Sequence, residues 1–248
     1  MNIIQAIISL GSPRRFYHFC GKLLPWCLGI SLIAMAYGTI AGLFIAPPDY
    51  QQGEGYRIIF VHVPCAMLSL LIYVSMAIAS AIFLIWRVKL ADVIAYCLAP
   101  IGAFLTFCAL VTGAIWGKPM WGTWWIWDAR LTSELILLFL YMGYIGLYSA
   151  IPQPKAAAKA CAILALVGAI DIPIIHYSVY WWNTLHQGAT IAKLGQPAIS
   201  TSMLLPLLSM IVGCGFYVVA LLCIRVRTEI LQRGSQHRWV NVLVSKSS

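Results

Sequence analysis

Residues 116–132 concentrate aromatic side chains: they read Trp-Gly-Lys-Pro-Met-Trp-Gly-Thr-Trp-Trp-Ile-Trp-Asp-Ala-Arg-Leu-Thr. Clustered indoles present flat apolar faces, which favour a flat apolar ligand. Three histidines, His62, His176 and His186, lie near the ends of apolar runs or in the loop after one, and imidazole is the commonest metal-binding side chain. Together these residue types favour a metal held in a flat organic ring.

The composition places these residues in a membrane protein. The chain is 62% hydrophobic and 9% charged, with a mean hydropathy of +0.88, outside the usual range of soluble domains. Several apolar runs are long enough to cross a bilayer as helices. We predict an all-α polytopic protein with six spans, at 24–45, 60–86, 94–115, 131–150, 157–178 and 203–224.

The distribution of Lys and Arg predicts the orientation of the spans, because short basic loops stay in the cytoplasm. Of 16 such residues, all but Arg57, Lys118, Arg130 and Lys193 lie on one side. We therefore expect both termini in the cytoplasm, with an N-terminal segment at 1–23, a six-span domain at 24–224 and a basic tail at 225–248. The net charge of +9 is then a topology signal, and no nucleic-acid surface is expected.

This orientation makes 116–132 a Trp-rich loop between the third and fourth spans, lying in the periplasmic interface. A belt of interfacial aromatic residues is the alternative interpretation. Belts form at both interfaces, whereas only Trp26, Trp86 and Trp239 lie near the inner side. The outer excess therefore indicates a ligand. The tryptophans near the outer side are Trp116, Trp121, Trp124, Trp125, Trp127, Trp181 and Trp182.

Haem is the ligand that these residues favour. Zinc motifs are not matched, since there is no His-Glu-x-x-His and no cysteine beside His176 or His186. Two imidazoles can bind haem iron from opposite faces while indoles pack on the porphyrin. Arg57 and Arg130 are the cations best placed for the propionates. The sequence has no Cys-x-x-Cys-His, so we expect non-covalent haem b.

The same segments resemble a known family. The pattern Trp-Gly-x-x-x-Trp-Gly-x-Trp-Trp-x-Trp-Asp-x-Arg-Leu-Thr is similar to the WWD signature of haem-handling membrane proteins of cytochrome c maturation. Six spans, a histidine at the head of the second span and the motif Trp181-Trp182-Asn183-Thr184-Leu185-His186-Gln187-Gly188 resemble the CcmC family of haem exporter subunits. The resemblance covers essentially the whole chain.

The resemblance implies specific roles and partners. His62 and His186 correspond to the two axial ligands of haem iron. It implies that haem is loaded onto a periplasmic chaperone, CcmE, beside the transporter subunits CcmA and CcmB and the small subunit CcmD in a bacterial inner membrane. No P-loop is present, so we expect a non-enzymatic subunit whose ATP-driven step belongs to a partner. The platform for haem and chaperone corresponds to Trp116, Trp121, Trp124, Trp125, Trp127 and Asp128.

Other polar and aromatic residues are expected to support the ligands. These are Asp171, His176, Trp181 and Trp182. Asp171 lies within the fifth span, where an unpaired carboxylate is costly, and Arg57, Arg130 or a histidine would each satisfy it. Asp128 has a second interpretation as the N-cap of the fourth helix.

We therefore expect an inner-membrane subunit that holds haem at the periplasmic face and presents it to a chaperone. One alternative is a membrane b-type cytochrome, although such proteins generally place histidines within facing helices, often at two depths, whereas His62 and His186 lie at one level. The other is a haem-conducting permease. Such a path needs polar or flexible positions along several helices, whereas the third and sixth spans are almost uniformly apolar.

Overall fold

The computed structural model describes residues 11–186 and 199–245, and this part of the chain is overwhelmingly helical. Six of its helical stretches are long and apolar enough to cross a membrane, which confirms the predicted all-α, six-span architecture. Lys193, Gln187 and Gly188 lie outside the described residues. The elements are α1 (Pro13–Ile40) with a π-helical turn (Ala41–Ile45), a 3-10 helix (Glu54–Ile58), α2 (Ile59–Trp86), α3 (Lys89–Trp121), α4 (Ala129–Ala150), α5 (Pro154–Gly168), α6 (Asp171–Trp181), α7 (Thr201–Arg233) and α8 (Arg238–Ser245).

The helices pack in two groups that meet along α7. Helix α1 packs mainly against α7, the last of the six candidate spans, and α2 packs most extensively against α3. Two glycines allow the close approach of α1 and α7: a Cβ on Gly38 would lie 2.7 Å from Met210, and one on Gly213 would lie 2.6 Å from Met35. The main core lies among α2 to α7, and its fully buried side chains include Tyr73, Met76, Leu137, Tyr141 and Ile175.

Both ends of the described chain lie at the same end of the bundle. Arg227 of α7 donates to the hydroxyl of Tyr17 at 3.1 Å, and Trp239 of α8 packs against the Tyr17 ring. At this end Arg233 bridges to the buried carboxylate of Asp92 at 2.6 Å. This ion pair ties α7 to the beginning of α3.

The loop between α3 and α4 is shorter than the predicted Trp-rich loop at 116–132. Helix α3 continues through Trp121, and α4 begins at Ala129, so only 122–128 connect them. Gly117 and Pro119 suggest an earlier stop, but Pro119 is accommodated within the helix. The helix ends where Gly122 adopts a left-handed conformation, with φ of 76°, and its N–H donates to the Lys118 carbonyl. Trp116 and Trp121 are therefore helical residues.

Two other helices are longer than their predicted spans, and one is interrupted. Helix α1 begins at Pro13 and α7 continues to Arg233, beyond the expected limits at 24 and 224. The fifth span, predicted as one helix at 157–178, breaks between Gly168 and Asp171 into α5 and α6. Pro173 accounts for the break, because its ring excludes the helical hydrogen bond to residue 169 and clashes with that carbonyl.

Candidate functional site

A cavity of about 220 Å³ opens among α2, α3, α4 and α6, at the end of the bundle opposite the chain termini. Apolar side chains such as Val63, Leu110 and Leu131 form much of its lining. A small set of polar side chains converges on this mostly apolar space, as is typical of ligand sites. They are Gln52, His62, Arg130, Glu134, His176 and His186.

His62 enters the cavity from the first turn of α2. This helix is continuous with the 3-10 helix before it, which fixes the position of its first turn. The Nδ1 atom of His62 lies 3.0 Å from Oγ1 of Thr112 on α3. The imidazole also meets the Trp116 ring edge-on, with the ring centroids 5.7 Å apart. His62 is thus held against α3 from two directions.

His186 reaches the same space from the segment after α6. Its ring centroid lies 6.4 Å from that of His62, with the ring planes 38° apart. It also lies 6.3 Å from the centroid of Trp121. The two histidines that the resemblance assigns to iron are therefore neighbours across one cavity, although one lies in α2 and the other in the segment after α6.

His176 lines the cavity as well but has a different setting. It lies on α6, is exposed, and its ring packs edge-on against Tyr177 at 4.8 Å. Among the described residues no group of three His, Cys, Asp or Glu side chains is arranged to hold a metal ion. Two imidazoles alone are too few to hold a bare metal ion, but they suit a metal whose other ligands are supplied by an organic ring.

The seven tryptophans near the predicted outer side divide into two sets. Trp116, Trp121 and Trp125 line the cavity. Gly117 makes room for Trp121, since a Cβ there would lie 2.9 Å from the indole. The second set does not line the cavity and projects outward, with Trp124 57% and Trp127 75% exposed. We call this set the outer tryptophans; its members are Trp124, Trp127, Trp181 and Trp182.

The two arginines expected to bind propionates have different environments. Arg130 lines the cavity, and its Nη1 donates to the Ile175 carbonyl of α6 at 2.6 Å. Arg57 does not line the cavity. It pairs with Glu54 and donates to the carbonyls of Gly42 and Ala46 at 2.6 and 2.9 Å, where α1 ends. Arg130 is therefore the cation that the structure brings to the cavity.

The two predicted acidic residues lie outside the cavity lining. Asp128 is the N-cap of α4, since its Oδ1 accepts from the Leu131 N–H at 2.8 Å. This confirms its structural interpretation. Asp171 is buried at the first turn of α6, and its Oδ2 has no hydrogen-bond partner in the part of the chain that the structure describes. Neither Arg57 nor Arg130 forms an ion pair with it within that part.

Two polar residues of the cavity were not predicted from the sequence. Gln52 accepts from the indole N–H of Trp116 at 2.9 Å, so the loop after α1 closes one side of the site. Glu134 is buried and accepts from Ser69 at 3.1 Å. Its spacing of four residues from Arg130 was a usable signal, because residues i and i+4 share a helix face.

Comparisons with known proteins agree over nearly the whole chain. Residues 6–241 match the family described as "Heme exporter protein C". The "Heme exporter protein C" of Haemophilus influenzae is 50% identical over 93% of this chain and 94% of its own length. The protein of that name from Escherichia coli K12 is 49% identical over 98% of both chains. The Bradyrhizobium diazoefficiens protein is 48% identical over 92% of this chain and 87% of its own.

Proposed function

The chain belongs to the heme exporter protein C family of the cytochrome c maturation system, and from this premise we propose that it binds non-covalent haem b between His62 and His186. It presents this haem at the periplasmic face to a haem chaperone. The haem is cargo that the protein holds and releases, so the subunit is not an enzyme.

The spacing of the two imidazoles is the observation that carries the proposal. A metal-bound imidazole nitrogen lies about 2 Å from the metal, and the ring centre lies about 1 Å behind that nitrogen. Two imidazoles on opposite sides of one ion therefore have centroids about 6 Å apart. The His62 and His186 centroids are 6.4 Å apart, which matches a single iron between them.

The remaining cavity residues suit a porphyrin. Trp116, Trp121 and Trp125 offer indole faces and edges to its ring. Arg130 supplies a positive charge that pairs with a propionate. The exposed residue His176 lines this cavity, so the cavity is open at that side and a macrocycle bound in it keeps an exposed edge. That exposed edge is what a receiving protein would contact.

The outer tryptophans supply a surface for such a receiver. Exposed indoles are frequent anchors at protein interfaces, and Trp127 is 75% exposed beside the cavity. We assign this surface to the periplasmic chaperone CcmE, and assign ATP hydrolysis to CcmA with CcmB and CcmD as membrane partners. The site then faces the periplasm of a bacterial inner membrane, with both chain termini in the cytoplasm.

The test is the absorption spectrum and haem content of the detergent-purified protein. We expect low-spin haem in the wild type, and high-spin or missing haem in His62→Ala and in His186→Ala, with reduced loading of CcmE. His237→Ala is the matched control, because His237 is exposed at the opposite end of the bundle. His176→Ala should also keep the low-spin spectrum.

Two results would overturn this proposal. Wild-type spectra in both His62→Ala and His186→Ala would remove the axial assignment. Rapid reduction of the bound haem by a quinol, without any transfer to CcmE, would favour an electron-transfer cytochrome instead.

A further inference from the structure

We propose that Thr112 is a positioning residue that selects which nitrogen of His62 binds iron. Thr112 lies on α3, and its Oγ1 is 3.0 Å from Nδ1 of His62. The proposal deepens the proposed function and rests on it, since it takes His62 as an axial ligand. Its claim is that Nδ1 carries the proton and that Nε2 is left as the ligand.

The hydrogen bonds of Thr112 determine the direction of the bond to His62. The Thr112 hydroxyl lies 2.6 Å from the Cys108 carbonyl and 3.2 Å from the Ala109 carbonyl, both on its own helix. A hydroxyl has one proton to donate, and the short contact assigns that proton to Cys108. Only lone pairs of Oγ1 then face His62, so Nδ1 of His62 must be the donor.

The position of the ring proton decides which nitrogen of His62 can bind iron. With its proton on Nδ1, a neutral imidazole has its lone pair on Nε2.

Close packing keeps the ring in this orientation. A Cβ on Gly113 would lie 3.1 Å from Cε1 of His62, so the imidazole rests directly on the α3 backbone. Trp116 meets the ring edge-on one turn later. Residues 112, 113 and 116 lie on one face of the helix. This face contacts Nδ1 and Cε1 of the His62 ring.

A hydrogen bond of this kind has measurable consequences for metal binding. It fixes the tautomer and orientation of the imidazole and raises its basicity, and loss of such a partner typically weakens metal affinity 10- to 100-fold. A less basic imidazole also stabilises ferric iron less. Removal of the Thr112 hydroxyl should therefore weaken haem binding and raise the midpoint potential.

The experiment compares Thr112→Val, Thr112→Ser and Thr106→Val in the full-length protein. Valine keeps the shape of threonine without the hydroxyl, and serine restores the hydroxyl. Thr106 is the matched control, because it lies on α3 and donates to the Gly102 carbonyl at 2.8 Å but does not line the cavity. The readouts are haem affinity by titration, the low-spin electron paramagnetic resonance signal and the midpoint potential.

We expect Thr112→Val to bind haem 10- to 100-fold more weakly, with an altered low-spin signal and a higher potential. Thr112→Ser and Thr106→Val should match the wild type. Wild-type behaviour of Thr112→Val, or equal loss in Thr112→Ser or Thr106→Val, overturns the role of the hydroxyl. If His62→Ala also keeps the wild-type spectrum, the proposed function itself fails, so the two failures are distinguishable.

Discussion

Replacing Arg130 and Arg57 in turn by Gln tests which of the two arginines binds a haem propionate, the role that the sequence predicts for both. Each substitution removes one positive charge near the end of the bundle that holds the cavity. Arg130 lines the cavity, whereas Arg57 donates to the Gly42 and Ala46 carbonyls and pairs with Glu54. We expect Arg130→Gln to weaken haem binding and Arg57→Gln to lower the stability of the fold.

The expected loss of haem affinity in Arg130→Gln can be worked out from the hydrogen-bond partners of Arg130. Its acceptor, the Ile175 carbonyl, also receives the Ser178 hydroxyl at 2.8 Å, so it stays hydrogen-bonded after Arg130→Gln. The main loss is then the charge-assisted bond to a propionate, worth about 1.5 to 3 kcal/mol. This corresponds to a roughly 10- to 150-fold weaker haem affinity.

For Arg57→Gln we expect a loss of fold stability, not of haem affinity. Its side chain is only 17% exposed, and its loss removes the donor from two carbonyls at the end of α1. A buried polar group without its partner costs about 1 to 3 kcal/mol. Arg57→Gln should therefore lower the thermal midpoint in detergent while leaving haem affinity within about twofold, less than about 0.5 kcal/mol.

The assay titrates haem into both purified variants and records their thermal unfolding in the same detergent. Equal losses of haem affinity in the two variants would refute the reasoning, because Arg57 would then act on the ligand from outside the cavity lining. Full affinity in Arg130→Gln would refute the contact between Arg130 and a propionate.

The remaining predictions concern the tryptophans and the core. Trp127→Ala should leave the haem spectrum unchanged but reduce transfer to CcmE in a reconstituted loading assay, whereas Trp121→Ala should alter the spectrum; the opposite pattern would contradict the division between cavity and outer tryptophans. Gly102→Ala should reduce the yield of folded protein in size-exclusion chromatography, because its Cβ would lie 2.2 Å from Tyr141, whereas Gly146→Ala meets nothing within 4 Å and should behave as wild type.

The sequence predicts the architecture well because a bilayer strongly restricts the segments that can span it. A span needs a long apolar run and must satisfy its own backbone, so six helices can be identified from hydropathy alone. Helix ends are harder to predict, because Pro119 is a stop signal that α3 overrides until Gly122. Pro173 has the opposite effect, because it interrupts a segment whose hydropathy is high enough for one continuous span.

The sequence predicts which residue types form the site better than it predicts which of those residues contact the cavity. Histidines and tryptophans near one membrane face indicate a ligand, but side-chain direction decides which of them line the cavity. Arg57 and Arg130 look equivalent in sequence, yet only Arg130 reaches the cavity lining. Thr112 carries no signal of its own, since its importance depends on a hydrogen bond to a residue of another helix.

The pairing of α1 with α7 bears on how the chain is made. Translation proceeds from the N-terminus, so α1 is made before the other five described spans, whereas α7, the helix it packs against most extensively, is the last of the six to be made. Until then the close contacts that Gly38 and Gly213 allow between these two helices cannot form. A nascent chain that stops before Thr201 therefore already contains His62 and His186 but lacks the helix against which α1 packs most extensively.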